Sequence, residues 1–187
     1  GRTIPFTNSK YDNADITSQI VKEAVFDILF SKIRGSSFLD LFSCSGQIGL
    51  EAISRGASFV WMNERDRKRF SFIRRMVDDM KITEGFSLTS FDAFRVIRES
   101  ASAGKTFDII YLDPPYHKFS GDAPVYADLL EKIDTASLLS DDGVIVVQHF
   151  SQNILPESEG GLVKTDSRKY GQNVLTFYEK KRNVDTD

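Results

Sequence analysis

The feature that most restricts the fold of this 187-residue chain is an alternation of short apolar runs with longer amphipathic segments. Phe38-Leu39-Asp40-Leu41-Phe42, Phe59-Val60-Trp61-Met62-Asn63, Phe86-Ser87-Leu88-Thr89, residues 107–112 and Val144-Ile145-Val146-Val147-Gln148 read as strands. Between them lie helical patterns near 47–55, 66–81, 93–102 and 124–138, and Gly56 is placed to end the first of these. A further helix over 17–33 precedes the first strand. Thr17 or Ser18 can cap it, and Ile20, Val21, Ala24, Val25, Ile28 and Leu29 form its apolar stripe. Such alternation implies a parallel sheet with helices on both faces. After residue 148 the pattern changes. Residues 162–169 and 173–180 flank Tyr170-Gly171-Gln172 and read as a hairpin, which brings antiparallel strands to one side of the sheet. The expectation is an α/β fold with a central, mostly parallel seven-stranded sheet.

The length suits one domain spanning 1–187, with an irregular segment over 1–15. No run approaches the ~20 apolar residues of a membrane-spanning helix, and no basic-then-apolar leader opens the chain. A cytoplasmic protein is expected. The single cysteine, Cys44, rules out an internal disulfide and a cysteine-rich zinc site, and no metal is expected. A net charge of −3 argues against coating of nucleic acid by charge alone. Local basic groups remain: Arg2, Lys10 and Lys22, and the cluster Arg65, Arg67, Lys68, Arg69, Arg74 and Arg75. The cluster is read as the solvated face of a helix whose Phe70, Ile73 and Val77 turn inward.

The chemistry gathers where strands end. Asp113-Pro114-Pro115-Tyr116 follows the fourth apolar run. Two prolines stop the strand and stiffen the turn. A carboxylate, fixed carbonyls and an aromatic ring then stand at the carboxyl edge, where open α/β sheets bind ligands. That set suits a planar group bearing an NH2: the oxygens accept its hydrogens and the ring stacks on its face. The first strand leads into Ser43-Cys44-Ser45-Gly46-Gln47-Ile48-Gly49, where Gly46 allows a tight turn and Gly49 allows a helix to pack close. The early glycines of a dinucleotide fingerprint are missing, so a ligand without a diphosphate is favoured. Glu64 ends the second strand and can take two ribose hydroxyls. Asp92 follows the third strand, where it can meet an adenine amine while the Ala93 amide meets a ring nitrogen. Asp40, Glu64, Asp92 and Asp113 thus share one edge. An adenosine with a cationic centre and no diphosphate is S-adenosylmethionine. Asp40 is expected on its ammonium side, and Phe42, Ser43, Ser45, Gly46 and Arg65 complete the expected cofactor set.

Nearly the whole chain resembles the RsmD-type bacterial methyltransferases. The resemblance is carried by Val21-Lys22-Glu23-Ala24-Val25-Phe26, by Leu39-Asp40-Leu41-Phe42-Ser43-Cys44-Ser45-Gly46 with Gly49-Leu50-Glu51-Ala52 and Ser54-Arg55-Gly56-Ala57, by Asp113-Pro114-Pro115-Tyr116 and by Tyr170-Gly171. Gly1-Arg2-Thr3-Ile4-Pro5 is similar to the end of that family's N-terminal hairpin. The resemblance implies a Rossmann-like class I S-adenosylmethionine-dependent fold and methylation of a guanine N2 amine in small-subunit ribosomal RNA. It implies catalysis by Asp113, Pro114, Pro115 and Tyr116, with RNA or an assembling small subunit as partner. Lys22, His117 and Tyr170 are candidate substrate contacts, whereas His149 reads as structural. The chain departs from the family at Ser43-Cys44-Ser45, where Ala-Gly-Ser is usual. It departs again at Ile16-Thr17-Ser18-Gln19-Ile20, where a Pro-Thr-Thr-Asp-Arg segment is usual. A DNA adenine-N6 methylase, a non-catalytic RNA-binding assembly protein and a dehydrogenase stay open as alternatives.

Overall fold

The structure is a computed structural model and describes residues 19–115, 121 and 122, and 124–182. The segment 1–15, the caps Thr17 and Ser18, and Tyr116 and His117 lie outside the described residues. Ten strands are described: β1 (Ser37–Asp40), β2 (Phe59–Asn63), β3 (Phe86–Thr89), β4 (Phe107–Leu112), β5 (Gly121–Asp122), β6 (Leu139–Phe150), β7 (Asn153–Ile154), β8 (Ser158–Glu159), β9 (Leu162–Tyr170) and β10 (Asn173–Lys180). Six helices join them: α1 (Gln19–Ile28), α2 (Phe30–Ile33), α3 (Gln47–Ser54), α4 (Arg67–Asp79), α5 (Ala93–Ser102) and α6 (Pro124–Thr135).

The main sheet runs β3-β2-β1-β4-β6-β10-β9-β8, and β5 pairs with β7 apart from it. β1, β2, β3, β4 and β6 are parallel, and β10 and β9 add the antiparallel hairpin. The seven expected strands are present, and the two-residue β8 adds an eighth at the edge.

The apolar runs are continuous because both faces of the sheet are buried. Successive side chains point to opposite faces. Phe38, Ile109, Tyr111, Val144 and Val146 join a core with α1, α3 and α4. Their neighbours Leu39, Ile110, Leu112, Ile145 and Val147 join a second core with α5 and α6. On α4 the residues turned inward are Phe72, Ile73, Met76 and Val77, while Phe70 is only half-buried.

Two further departures have physical causes. The helical pattern over 17–33 is split at Leu29, which keeps its amide on Val25 O at 3.0 Å but has ψ of 3°. β6 begins five residues earlier than its apolar run, through Ser140-Asp141-Asp142-Gly143. A bulge absorbs this polar stretch, because Phe107 pairs with Leu139 but Ile109 pairs with Val144. Ser140 Oγ donates to Asp108 Oδ1 at 2.9 Å, and Lys32 Nζ donates to Asp142 O at 2.8 Å, pinning the bulge.

From β1 the chain proceeds outward to β2 and β3, then returns to place β4 on the other flank of β1. The crevice beyond the carboxyl ends of β1 and β4 is therefore the topological switch point. Among the described residues no helix is long and apolar enough to cross a membrane.

Candidate active site

The loop after β1 is shaped from within. Gly46 N–H donates to Ser43 O at 2.6 Å, and both Cys44 (φ 48°) and Gly46 (φ 76°) take the left-handed conformation. For glycine this is free, whereas for Cys44 it stores strain of about 1 kcal/mol or more. Ser43 faces inward: its Oγ donates to Asp40 O at 3.1 Å and accepts from Asn63 N–H at 3.1 Å. Gly49 brings α3 onto the sheet, since a β-carbon there would stand 2.6 Å from Met62 Sδ.

Asn63, the last residue of β2, fastens three strand ends together. Its Nδ2 donates to Leu41 O (3.3 Å) and Phe91 O (3.1 Å), and its Oδ1 accepts from Thr89 Oγ1 (2.9 Å) and Phe91 N–H (3.0 Å). Glu64 follows immediately. Its Oε1 accepts the Asp66 amide at 2.7 Å, which orients the carboxylate at the end of β2.

A cleft of about 300 Å³ opens along this edge. Phe42, Glu64, Arg65, Asp92, Ala93, Asp113, Pro114 and Pro115 all line it. Asp92 also caps α5, its Oδ1 accepting from Phe94 N–H at 3.0 Å. Asp40, Ser43 and Ser45 lie below, in a small adjoining cleft that Phe42 and Asp113 share. Gly46 shapes the turn from behind, where a β-carbon would meet Ile73. Lys22 and Tyr170 are not brought to the cleft: both are half-buried, and Tyr170 packs against the α1–α3–α4 core.

Several lining residues were not expected there: Phe91, Tyr126, Gln148 and Asn173, together with Arg69, read from the sequence as part of a solvated helix face, and His149, read as structural. Tyr111 Oη donates to Gln148 Oε1 at 2.5 Å. His149 Nδ1 meets Phe150 O at 2.9 Å, and a carbonyl can only accept, so that nitrogen carries the proton. Nε2 then accepts from Thr176 Oγ1 at 2.8 Å. Burial holds the His149 pKa below its usual value. Asn153 Nδ2 donates to Tyr126 Oη at 3.2 Å. No motif marks these side chains. Their one signal was the polar ending of an apolar run at Gln148-His149.

The electrostatics favour a cation. Asp40 is fully enclosed; its Oδ2 accepts only weakly from Gly49 N–H at 3.2 Å, and among the described residues Oδ1 has no hydrogen-bond partner. Burial pushes its pKa up to about 7, against the pull of Ser43 and Gly49, and the Glu64 charge adds to the rise. Burial also raises Glu64, partly offset by the Asp66 amide and Arg69. Cys44 is pushed up to about 12 by burial, so its thiol is no nucleophile near neutral pH. A half-satisfied buried carboxylate, a second acid at the end of β2 and a backbone turn without diphosphate-binding glycines fit an adenosine bearing positive charge. S-adenosylmethionine meets each of these requirements.

Comparison with known proteins agrees with this geometry. The family model described as Conserved hypothetical protein 95 matches residues 1–179. The Bacillus subtilis (strain 168) protein YlbH is 33% identical over 165 residues, covering 88% of this chain and 87% of that protein. Ribosomal RNA small subunit methyltransferase D of Buchnera aphidicola subsp. Acyrthosiphon pisum is 32% identical over 118 residues, 63% of this chain and 59% of that protein. The solved structure of Escherichia coli yhhF superposes with a TM-score of 0.77 at 23% identity, covering 92% of this chain and 90% of that one, which establishes the fold.

Proposed function

Because this chain belongs to the Conserved hypothetical protein 95 family, that of the RsmD-type methyltransferases, we propose that it is an S-adenosylmethionine-dependent enzyme that methylates a guanine N2 amine in small-subunit ribosomal RNA. The observation that carries this reading is the shared cleft, in which Glu64 and Asp92 stand on one side and Asp113-Pro114 on the other. When bound, S-adenosylmethionine supplies an electrophilic methyl on a sulfonium centre. Glu64 is assigned to the ribose hydroxyls, Asp92 and the Ala93 amide to the adenine edge, and Asp40 to the ammonium group. Phe42 and Arg65 line the same cleft, Ser43 and Ser45 line the small one adjoining it, and Gly46 shapes the turn behind them.

An exocyclic amine is a weak nucleophile, because its lone pair is shared with the ring. Asp113 and the Pro114 carbonyl accept its two hydrogens and favour the pyramidal nitrogen that can attack. The rigid Pro114-Pro115 turn fixes those acceptors, so most of the acceleration comes from positioning. Asp113 also stabilises the positive charge that develops on the nitrogen. Tyr116, outside the described residues, is assigned to stacking on the base. The base must be unpaired or extruded to enter. A cytoplasmic location and small-subunit ribosomal RNA, bare or in an assembling particle, as partner follow from this substrate.

Labelled S-adenosylmethionine, purified protein and either bare or assembled small-subunit RNA test the reading, with the product mapped to base and atom. Methyl at guanine N2 is expected. Asp113→Ala should lower turnover by ~10²-fold or more while cofactor affinity changes by no more than a few-fold. Transfer to DNA adenine instead, or to no nucleic acid, would overturn it.

A further inference from the structure

Half of the cleft has no task in this scheme. The wall beyond Asp113 carries Gln148, His149 and Asn173, and Gln148 and His149 are each only 7% exposed. Burying polar side chains costs free energy unless they are bonded. Both ring nitrogens of His149 are engaged inside the protein, on Phe150 O and Thr176 Oγ1. Gln148 differs. Its oxygen accepts from Tyr111 Oη, which holds the side chain in place. That oxygen has a second lone pair, and the amide nitrogen has two hydrogens.

Register places this amide. β4 and β6 are parallel neighbours with Leu112 opposite Val147. Asp113 directly follows β4 and Gln148 lies in β6, each one residue beyond that pair on chains about 4.8 Å apart, and both line the cleft. With guanine N2 at Asp113, the next atoms along the same edge are N1–H and O6, one donor and one acceptor. A carboxamide offers one acceptor and one donor at the same spacing. An adenine held by N6 would present only the N1 acceptor there and would use half the amide.

We infer that Gln148, oriented by Tyr111, reads the target base through a paired contact with guanine N1–H and O6. This rests on the guanine-N2 reading above. It makes Gln148 a specificity-determining residue and Tyr111 a positioning residue.

The test uses small-subunit RNA carrying guanine, 2-aminopurine or inosine at the mapped target. 2-Aminopurine keeps the amine but lacks N1–H and O6, and inosine keeps N1–H and O6 but lacks the amine. The unaltered protein should prefer guanine over 2-aminopurine by about 10- to 100-fold in kcat/KM, and inosine RNA should inhibit competitively. Gln148→Met, close in volume, should shrink that preference to within about threefold and weaken inosine inhibition, with the Kd for S-adenosylmethionine unchanged. Tyr111→Phe keeps the amide but frees it, so its preference should be intermediate. A folded Gln148→Met protein with undiminished preference would overturn the inference alone, as would an unaltered protein indifferent between guanine and 2-aminopurine. No transfer to guanine by the unaltered protein would overturn the functional reading as well.

Discussion

Asp40 is a carboxylate that folding leaves half-satisfied, and its titration carries a sign that can be checked. With its pKa raised from 3.8 to about 7, the folded protein keeps a proton that the unfolded chain gives up across that interval. The unfolded state then binds fewer protons, so stability falls as pH rises from about 4 to about 7. Asp40→Asn should remove this dependence. Urea unfolding of both proteins at pH 5 and 7.5 should show the variant gaining on the parent by a few kcal/mol at the higher pH. A positively charged ligand favours the ionised form, so affinity for S-adenosylmethionine should increase between pH 5.5 and 7 in the parent and increase less in the variant. At this scale Glu64 and Asp113 were legible because each follows an apolar run directly. Gln148 and Asn63 were not, because an amide at a strand end has no signature and acquires its role from neighbours fixed by register. Cys44 hid its left-handed backbone for a related reason: the conformation comes from the loop closure between Ser43 and Gly46, which no residue type announces.

Among elements, the tightest fit is α3 against β2. Gly49→Ala would drive a β-carbon toward Met62 Sδ and to 3.3 Å from Asp40 Oδ2. Overpacking of this kind costs about 1–3 kcal/mol, partly offset by alanine's better helix propensity. The variant should melt a few degrees lower. In a double-mutant cycle with Met62→Ala the two effects should be less than additive, because the smaller side chain makes room. Additive effects would remove the contact as the cause. Strands and helices were legible where both faces are buried, since apolar runs then have unambiguous ends. The early start of β6 was not, because Ser140–Gly143 reads as a turn and is held in the sheet by Asp108, Lys32 and Lys180 from distant parts of the chain.

At the scale of the whole molecule, ligand and fold are linked by mass action. Cofactor at a hundred times its Kd should stabilise the protein by about 2.7 kcal/mol, which raises Tm by roughly 5–10 °C for a chain of this size. Glu64→Ala should lose most of that shift at the same concentration and Asp113→Ala should keep it, and differential scanning fluorimetry distinguishes the two. The architecture was legible as a whole because alternating strands and helices admit few topologies. The cleft's far wall was not, since it is assembled from β4, β6, α6 and β10, which meet only in the folded state. Asn63 gives this assembly a further property. One side-chain amide ties the ends of β1 and β2 to the turn after β3, so the walls of the cofactor cleft are inherited together. Asn63 itself lines the cleft, and replacing it would deform at once the three strand ends it joins. Variation compatible with activity should therefore collect away from the cleft, while this interior amide acts as a keystone whose loss no single neighbouring change can repair.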